Sequence, residues 1–92
     1  MTRVTLKMVI AGRVQGVSFR VTMRERAVHH KVDGWVRNKG DGSVEALVQG
    51  EEDHVSSLLE WARVGPSGAR VSSVTHEKLD SYPRQTGFRI VE

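Results

Sequence analysis

The fold turns on one stretch, Thr5-Leu6-Lys7-Met8-Val9-Ile10-Ala11-Gly12-Arg13-Val14-Gln15-Gly16-Val17-Ser18-Phe19-Arg20, because its periodicity changes part-way along. In residues 5–12, Leu6, Met8 and Ile10 share one face, and Thr5 and Lys7 share the other with Val9. That is the period of a strand, largely buried. Gly12 and Gly16 bracket a loop. From Ser18 the apolar residues fall four apart, at Phe19, Met23 and Ala27, with Val28 and Val32 extending the stripe. That is the period of a helix, with Ser18 as its expected N-cap and its end near His30 and Lys31.

Working outward, residues 34–38 read as a second strand and 43–49 as a third, with Val44, Ala46 and Val48 on its inner face. The run Asn38-Lys39-Gly40-Asp41-Gly42 between them carries hairpin turn residues. Residues 51–64 form the clearest helix: Val55, Leu58, Leu59 and Ala62 line one face, and Glu51, Glu52 and Asp53 complement the positive end of its dipole. Gly65-Pro66 stops it. A fourth strand is expected over 69–79 and a short edge strand over 88–92. The order is β-α-β-β-α-β plus a short terminal strand. That is the split βαβ arrangement called ferredoxin-like, an α+β fold with two helices on one face of an antiparallel sheet.

The chain has 92 residues, which predicts one domain spanning 1–92. It has no cysteine, so disulfides, zinc–thiolate sites and thiol nucleophiles are all excluded. No apolar run approaches the ~20 residues that span a bilayer, and the apolar stretch 4–11 is broken by Lys7, unlike a secretory signal. A cytoplasmic protein with no membrane partner is the expectation. The net charge of +3 is too small to demand nucleic acid and compatible with a small anionic ligand.

The loop from Gly12 to Arg20 joins a buried strand to a helix start. Two glycines let backbone N–H groups turn inward into a concave anion nest. The helix start adds unpaired N–H donors and a positive dipole end. Arg20, in the first helical turn, carries a planar fork suited to two phosphate oxygens. The residues alone leave two readings open, an anion nest or a tight turn with a solvated arginine. The loop is neither a Walker A sequence nor a dinucleotide fingerprint. Asn38, taken alone, reads as a turn residue. The segments lining such a site offer no strong general acid, and such a site can only position groups and stabilise charge. That suffices for a leaving group such as a carboxylate, whose conjugate acid has a pKa of about 4.

Two motifs carry a family resemblance over essentially the whole chain. Gly12-Arg13-Val14-Gln15-Gly16-Val17-Ser18-Phe19-Arg20 resembles the acylphosphatase signature G-x-V-Q-G-V-x-[FY]-R. Gly34-Trp35-Val36-Arg37-Asn38, followed by Asp41-Gly42-Ser43-Val44-Glu45, resembles the second signature, G-x-V-x-N with D-G-x-V-E. Residues 65–71 also resemble a common family stretch. The resemblance implies hydrolysis of a small-molecule acyl phosphate to a carboxylate and inorganic phosphate. It implies that Arg20 binds the phosphate, helped by backbone N–H groups of Gln15, Gly16, Val17, Ser18 and Phe19, and that Asn38 orients the attacking water. It further implies that the substrate accepts the water's proton, and that no metal or other cofactor takes part. Family members often have Leu-Gly-Leu where this chain has His30-Lys31-Val32, so Lys31 predicts a positive φ or a different helix ending.

Other features are expected to be structural. His29 and His30 point in different directions on a helix and read as a solvated cationic cap. Glu45 is explained by pairing across the sheet. Trp35 is placed on the open sheet face, and Trp61 at the margin of its helix's apolar stripe. Two rival functions suit the same architecture. One is a phosphate-binding regulatory domain without turnover. The other is an RNA-binding module of the same architecture, disfavoured because the chain has only two Trp, one Tyr and two Phe. A monomer that binds no nucleic acid is the expectation.

Overall fold

The computed structural model describes residues 2–92. Strand β1 spans Arg3–Arg13, helix α1 Phe19–His29, β2 Asp33–Asn38, β3 Val44–Glu51, helix α2 Glu52–Ala62, β4 Arg70–Lys78 and β5 Phe88–Ile90. The strands form one sheet in the order β4-β1-β3-β2-β5. β1 pairs antiparallel with β3 and β4, and β2 pairs antiparallel with β3. The expected element order is present, with bounds displaced by one or two residues, as fraying ends allow.

The terminal strand departs from a purely antiparallel sheet. β5 pairs parallel with β2, Gly34 opposite Phe88 and Val36 opposite Ile90. Its direction follows from its route. β4 lies at one edge of the sheet and β5 at the other, so residues 79–87 must cross from edge to edge. They cross the face that carries Trp35 and Gln49. Gln49 donates to the Pro83 carbonyl at 3.1 Å and accepts from the Gln85 N–H at 2.8 Å, and Trp35 donates to the Tyr82 hydroxyl at 3.3 Å.

Strand register explains which side chains are buried together. Leu6 lies opposite Val48, Met8 opposite Ala46 and Ile10 opposite Val44, so the apolar sets of β1 and β3 share one face. Phe19, Met23 and Ala27 of α1 and Val55, Leu58 and Ala62 of α2 close over that face. Every residue of β3 from Val44 to Gly50 is buried, because the strand is central and its second face is covered as well. On that second face Glu45 is only 4 % exposed and is held by Lys7 at 3.1 Å and Arg37 at 2.7 Å. Burial alone would raise the Glu45 carboxyl pKa, but the hydrogen-bonded Arg37 and Lys7 outweigh it and hold it below its ordinary value.

One expectation about α1 changes. Val28 is exposed, not part of the buried stripe: it follows Ala27 by one residue, a rotation of about 100° away from the core. Val32 does reach the core, beyond the helix end. There the Val32 N–H bonds the Ala27 carbonyl at 2.8 Å and the Lys31 N–H bonds that of Val28 at 3.2 Å, with Lys31 at φ 58°. This is the Schellman arrangement, which ordinarily takes glycine at the left-handed position. Of the two outcomes expected of Lys31, a positive φ or a different helix ending, the positive φ is the one present.

Candidate active site

The site begins where β1 leaves the sheet. A register shift between Ala11 and Gly12 bends the strand, and Gly12 sits at φ 121°. A Cβ there would collide with the Arg70 carbonyl of β4, so only glycine lets the chain leave at this angle. Val14 is buried and anchors the loop in the core. Gly16 follows at φ 75° with nothing near its missing Cβ, so its need is conformational alone.

Ser18 corrects one expectation. It occupies the N-cap position of α1, but its backbone is left-handed (φ 62°, ψ 26°) and its side chain makes no capping hydrogen bond. A capping serine needs an extended backbone to turn its oxygen onto the first-turn N–H groups. Ser18 instead contributes its carbonyl, which accepts from the Thr22 N–H at 3.1 Å and the Thr22 hydroxyl at 2.8 Å. The donors at the start of α1 thus receive no acceptor from Ser18. The first turn of α1 also holds no acidic residue, so no carboxylate of its own offsets the dipole. The start of α1 therefore keeps unpaired N–H donors and a positive dipole end.

Asn38 ends β2 and stands opposite Val44. It shares a strand face with the buried Gly34 and Val36, which turns it toward the helical layer. The hairpin beyond it is locked locally. Asp41 accepts from the Ser43 N–H at 2.9 Å and the Ser43 hydroxyl at 2.6 Å, and the Lys39 N–H bonds the Ser43 carbonyl at 2.8 Å. The Ser43 hydroxyl and N–H, both donating to the Asp41 carboxylate, lower its pKa.

Loop, helix and hairpin enclose a cleft of about 300 Å³ lined by Val14, Gly16, Ser18, Phe19, Arg20, Val21 and Asn38. Arg20 and Asn38, adjacent in neither sequence nor element, line the same small space. Asn38 Oδ1 is buried and has no hydrogen-bond partner. Native structures rarely leave a buried acceptor unpaired, so this atom marks a place for a donor. Of the loop residues expected to present N–H groups, Gly16, Ser18 and Phe19 line the cleft. The side chains of Val17 and Gln15 turn elsewhere. Val17 packs against the core, and Gln15 reaches the hairpin, donating to the carbonyls of Lys39 at 2.8 Å and Ser43 at 3.0 Å. That reach was not legible in the sequence, since both acceptors are backbone atoms more than twenty residues away. Trp61, expected at the margin of its helix's stripe, packs its ring on Phe19 with centroids 5.2 Å apart, behind the start of α1.

Among the described residues, no three His, Asp or Glu side chains gather as they would around a metal ion. His29 and His30 meet edge to face at 5.0 Å, at the far end of α1.

The family model described as Acylphosphatase matches residues 6–90. The chain belongs to the acylphosphatase family. It is 52 % identical over 92 residues to an acylphosphatase of Pyrobaculum islandicum, covering 99 % of this chain and 97 % of the relative. Among solved structures it is similar to an acylphosphatase from Bacillus subtilis, with TM-score 0.93 and 32 % identity over 97 % of this chain and 99 % of that one. An acylphosphatase from Coxiella burnetii gives TM-score 0.92 and 35 % identity over 97 % and 93 % of the two chains. The acylphosphatase architecture therefore spans both signatures, and the cleft lies between them.

Proposed function

We propose that this member of the acylphosphatase family hydrolyses the carboxyl–phosphate bond of acyl phosphates by positioning and charge stabilisation, with Arg20 and Asn38 as its catalytic residues. The observation that carries the proposal is the meeting of Arg20 and the unpartnered Asn38 Oδ1 in one cleft at the uncompensated start of α1. The phosphoryl oxygens sit against the N–H groups of Gln15, Gly16, Val17, Ser18 and Phe19, with the Arg20 guanidinium spread over two of them. Asn38 Oδ1 accepts one hydrogen of a water and aims its oxygen at phosphorus. The water's oxygen forms the new P–O bond as the bond to the acyl oxygen breaks. The proton passes to a phosphoryl oxygen of the substrate, and the acyl group leaves as carboxylate.

The cleft lining contains no carboxylate, histidine or lysine. Acid catalysis is not required when the leaving group is as weak a base as a carboxylate, with a conjugate-acid pKa of about 4. A phosphate monoester would expel an alkoxide and needs such help. The same cleft therefore favours mixed anhydrides over monoesters.

We further propose that residues 1–92 act as a single, monomeric, cytoplasmic domain that uses no metal and binds no nucleic acid. Two features support parts of this. The sheet face on which RNA-binding relatives of the architecture stack bases is crossed here by residues 79–87. No helix among the described residues is long and apolar enough to cross a membrane.

The test is hydrolysis of benzoyl phosphate by purified protein in the presence of a chelator, beside a phosphate monoester of similar size. Turnover of benzoyl phosphate alone, with carboxylate and phosphate released in equal amounts, is expected. Folded protein that binds inorganic phosphate without turnover would mean a binding domain instead. Turnover lost on chelation would contradict the metal-free chemistry.

A further inference from the structure

Asn38 has no side-chain anchor for its acceptor oxygen, so that atom is only as well placed as the backbone beneath it. That backbone is the last residue of β2, at the mouth of the hairpin. Among the described residues, the hydrogen bonds that tie this hairpin to the loop of residues 13–18 both come from one group, the Gln15 side-chain amide. It gives one hydrogen to the carbonyl of Lys39, the residue after Asn38, and the other to the carbonyl of Ser43, the residue before Val44. Asn38 and Val44 face each other across the ladder. The amide thus grips both strands beside the pair that carries Asn38, from a residue whose own backbone belongs to the phosphate loop.

We infer that Gln15 is a positioning residue whose side-chain amide sets the distance between the bound phosphate and the water held by Asn38. This rests on the roles proposed above for the loop and for Asn38. Its physical basis is the steep dependence of rate on alignment: a displacement of about 1 Å costs on the order of a hundredfold. The phosphate is held by Arg20 and loop N–H groups, none of which is the Gln15 side chain. Loss of the amide therefore acts on the water's placement and not on the anion's affinity.

The test is a double-mutant cycle of Gln15→Leu and Asn38→Ala, read as kcat for benzoyl phosphate and as the inhibition constant of inorganic phosphate. Gln15→Leu keeps roughly the bulk of the side chain, one bond shorter, and removes both donors. Its kcat is expected to fall about 10–100-fold, with phosphate inhibition within about twofold of the wild type. In the Asn38→Ala background the same change is expected to have almost no further effect, because the residue it serves is gone. Additive losses in the cycle, or a loss that falls on phosphate affinity, would overturn the proposal. If Asn38→Ala alone keeps its kcat, the fault lies in the water-orienting role itself, which separates the two failures.

Gln15→Glu covers the case in which Gln15→Leu does not fold. An ionised glutamate cannot donate to two carbonyls, whereas a protonated one donates a single bond. Its kcat relative to wild type is expected to rise as the pH falls and the new carboxyl takes up a proton. A ratio independent of pH would count against a donor role for this side chain.

Discussion

The two helices start in opposite ways. α2 opens from an extended Glu51, with Glu52 and Asp53 in its first turn, so its positive end meets negative charge at once. α1 opens from a left-handed Ser18 that caps nothing, with no acid in its first turn and Arg20 as its second residue. By the ordinary rules of helix stability α2 is well begun and α1 badly begun. A non-glycine residue in the left-handed region costs on the order of 1 kcal/mol or more, and positive charge near a helix start adds to the deficit. Under the function proposed above, what α2 supplies from its own side chains α1 leaves for the bound phosphate.

The largest effect is expected at Arg20. Arg20→Ala removes the charge-assisted fork from the cleft, and kcat/KM for benzoyl phosphate is expected to fall about a thousandfold or more, with phosphate inhibition weakened in parallel. Steady-state kinetics with phosphate as inhibitor measure both. Unchanged phosphate inhibition would remove Arg20 from the site.

Giving α1 the kind of start that α2 has should be nearly as damaging. Ser18→Asp places a carboxylate at the mouth of the nest, where its repulsion is expected to weaken phosphate binding about 10- to 100-fold. The same change compensates the dipole, so the protein should be no less stable in urea. Tighter phosphate binding by this variant would contradict the anion-nest account.

The far end of α1 separates strain kept for function from strain of other origin. Lys31 is as left-handed as Ser18, at φ 58° against 62°, but it closes a Schellman turn away from the cleft. Lys31→Gly is expected to stabilise the fold by about 0.5–1 kcal/mol without changing kcat, as read from urea midpoints and from turnover.

Smallest of all is the effect expected from weakening the start of α2. Asp53→Asn should destabilise by about 0.3–1 kcal/mol and leave activity untouched. A change in phosphate inhibition here would mean that the two helix starts are not independent.

Much of this was legible in the sequence, for reasons that differ by region. β1 and α1 declared themselves because Leu6, Met8 and Ile10 and then Phe19, Met23 and Ala27 follow clean periods. Arg20 and Asn38 were named together through the two signatures, whereas local sequence alone made Asn38 a turn residue. The features that escaped depend on contacts between distant segments. The backbone of Ser18 is set by how the loop meets α1, so a serine before a helix gave the ordinary capping expectation. The Gln15 amide finds backbone carbonyls, which have no residue-type trace. β5 is a strand of 3 residues whose direction depends on the crossing that precedes it. Val28 failed because one residue at the end of a helical stripe fits the pattern about as well in or out of it.

The central claim is that Asn38 serves the water and Arg20 the phosphate. Asn38→Ala tests it most directly, by kcat for benzoyl phosphate measured beside the inhibition constant of inorganic phosphate on the same protein. The account predicts that kcat falls by a factor on the order of a hundred or more while phosphate inhibition stays within about twofold of the wild type. A variant that keeps its kcat, or that loses phosphate affinity as steeply as turnover, would contradict it.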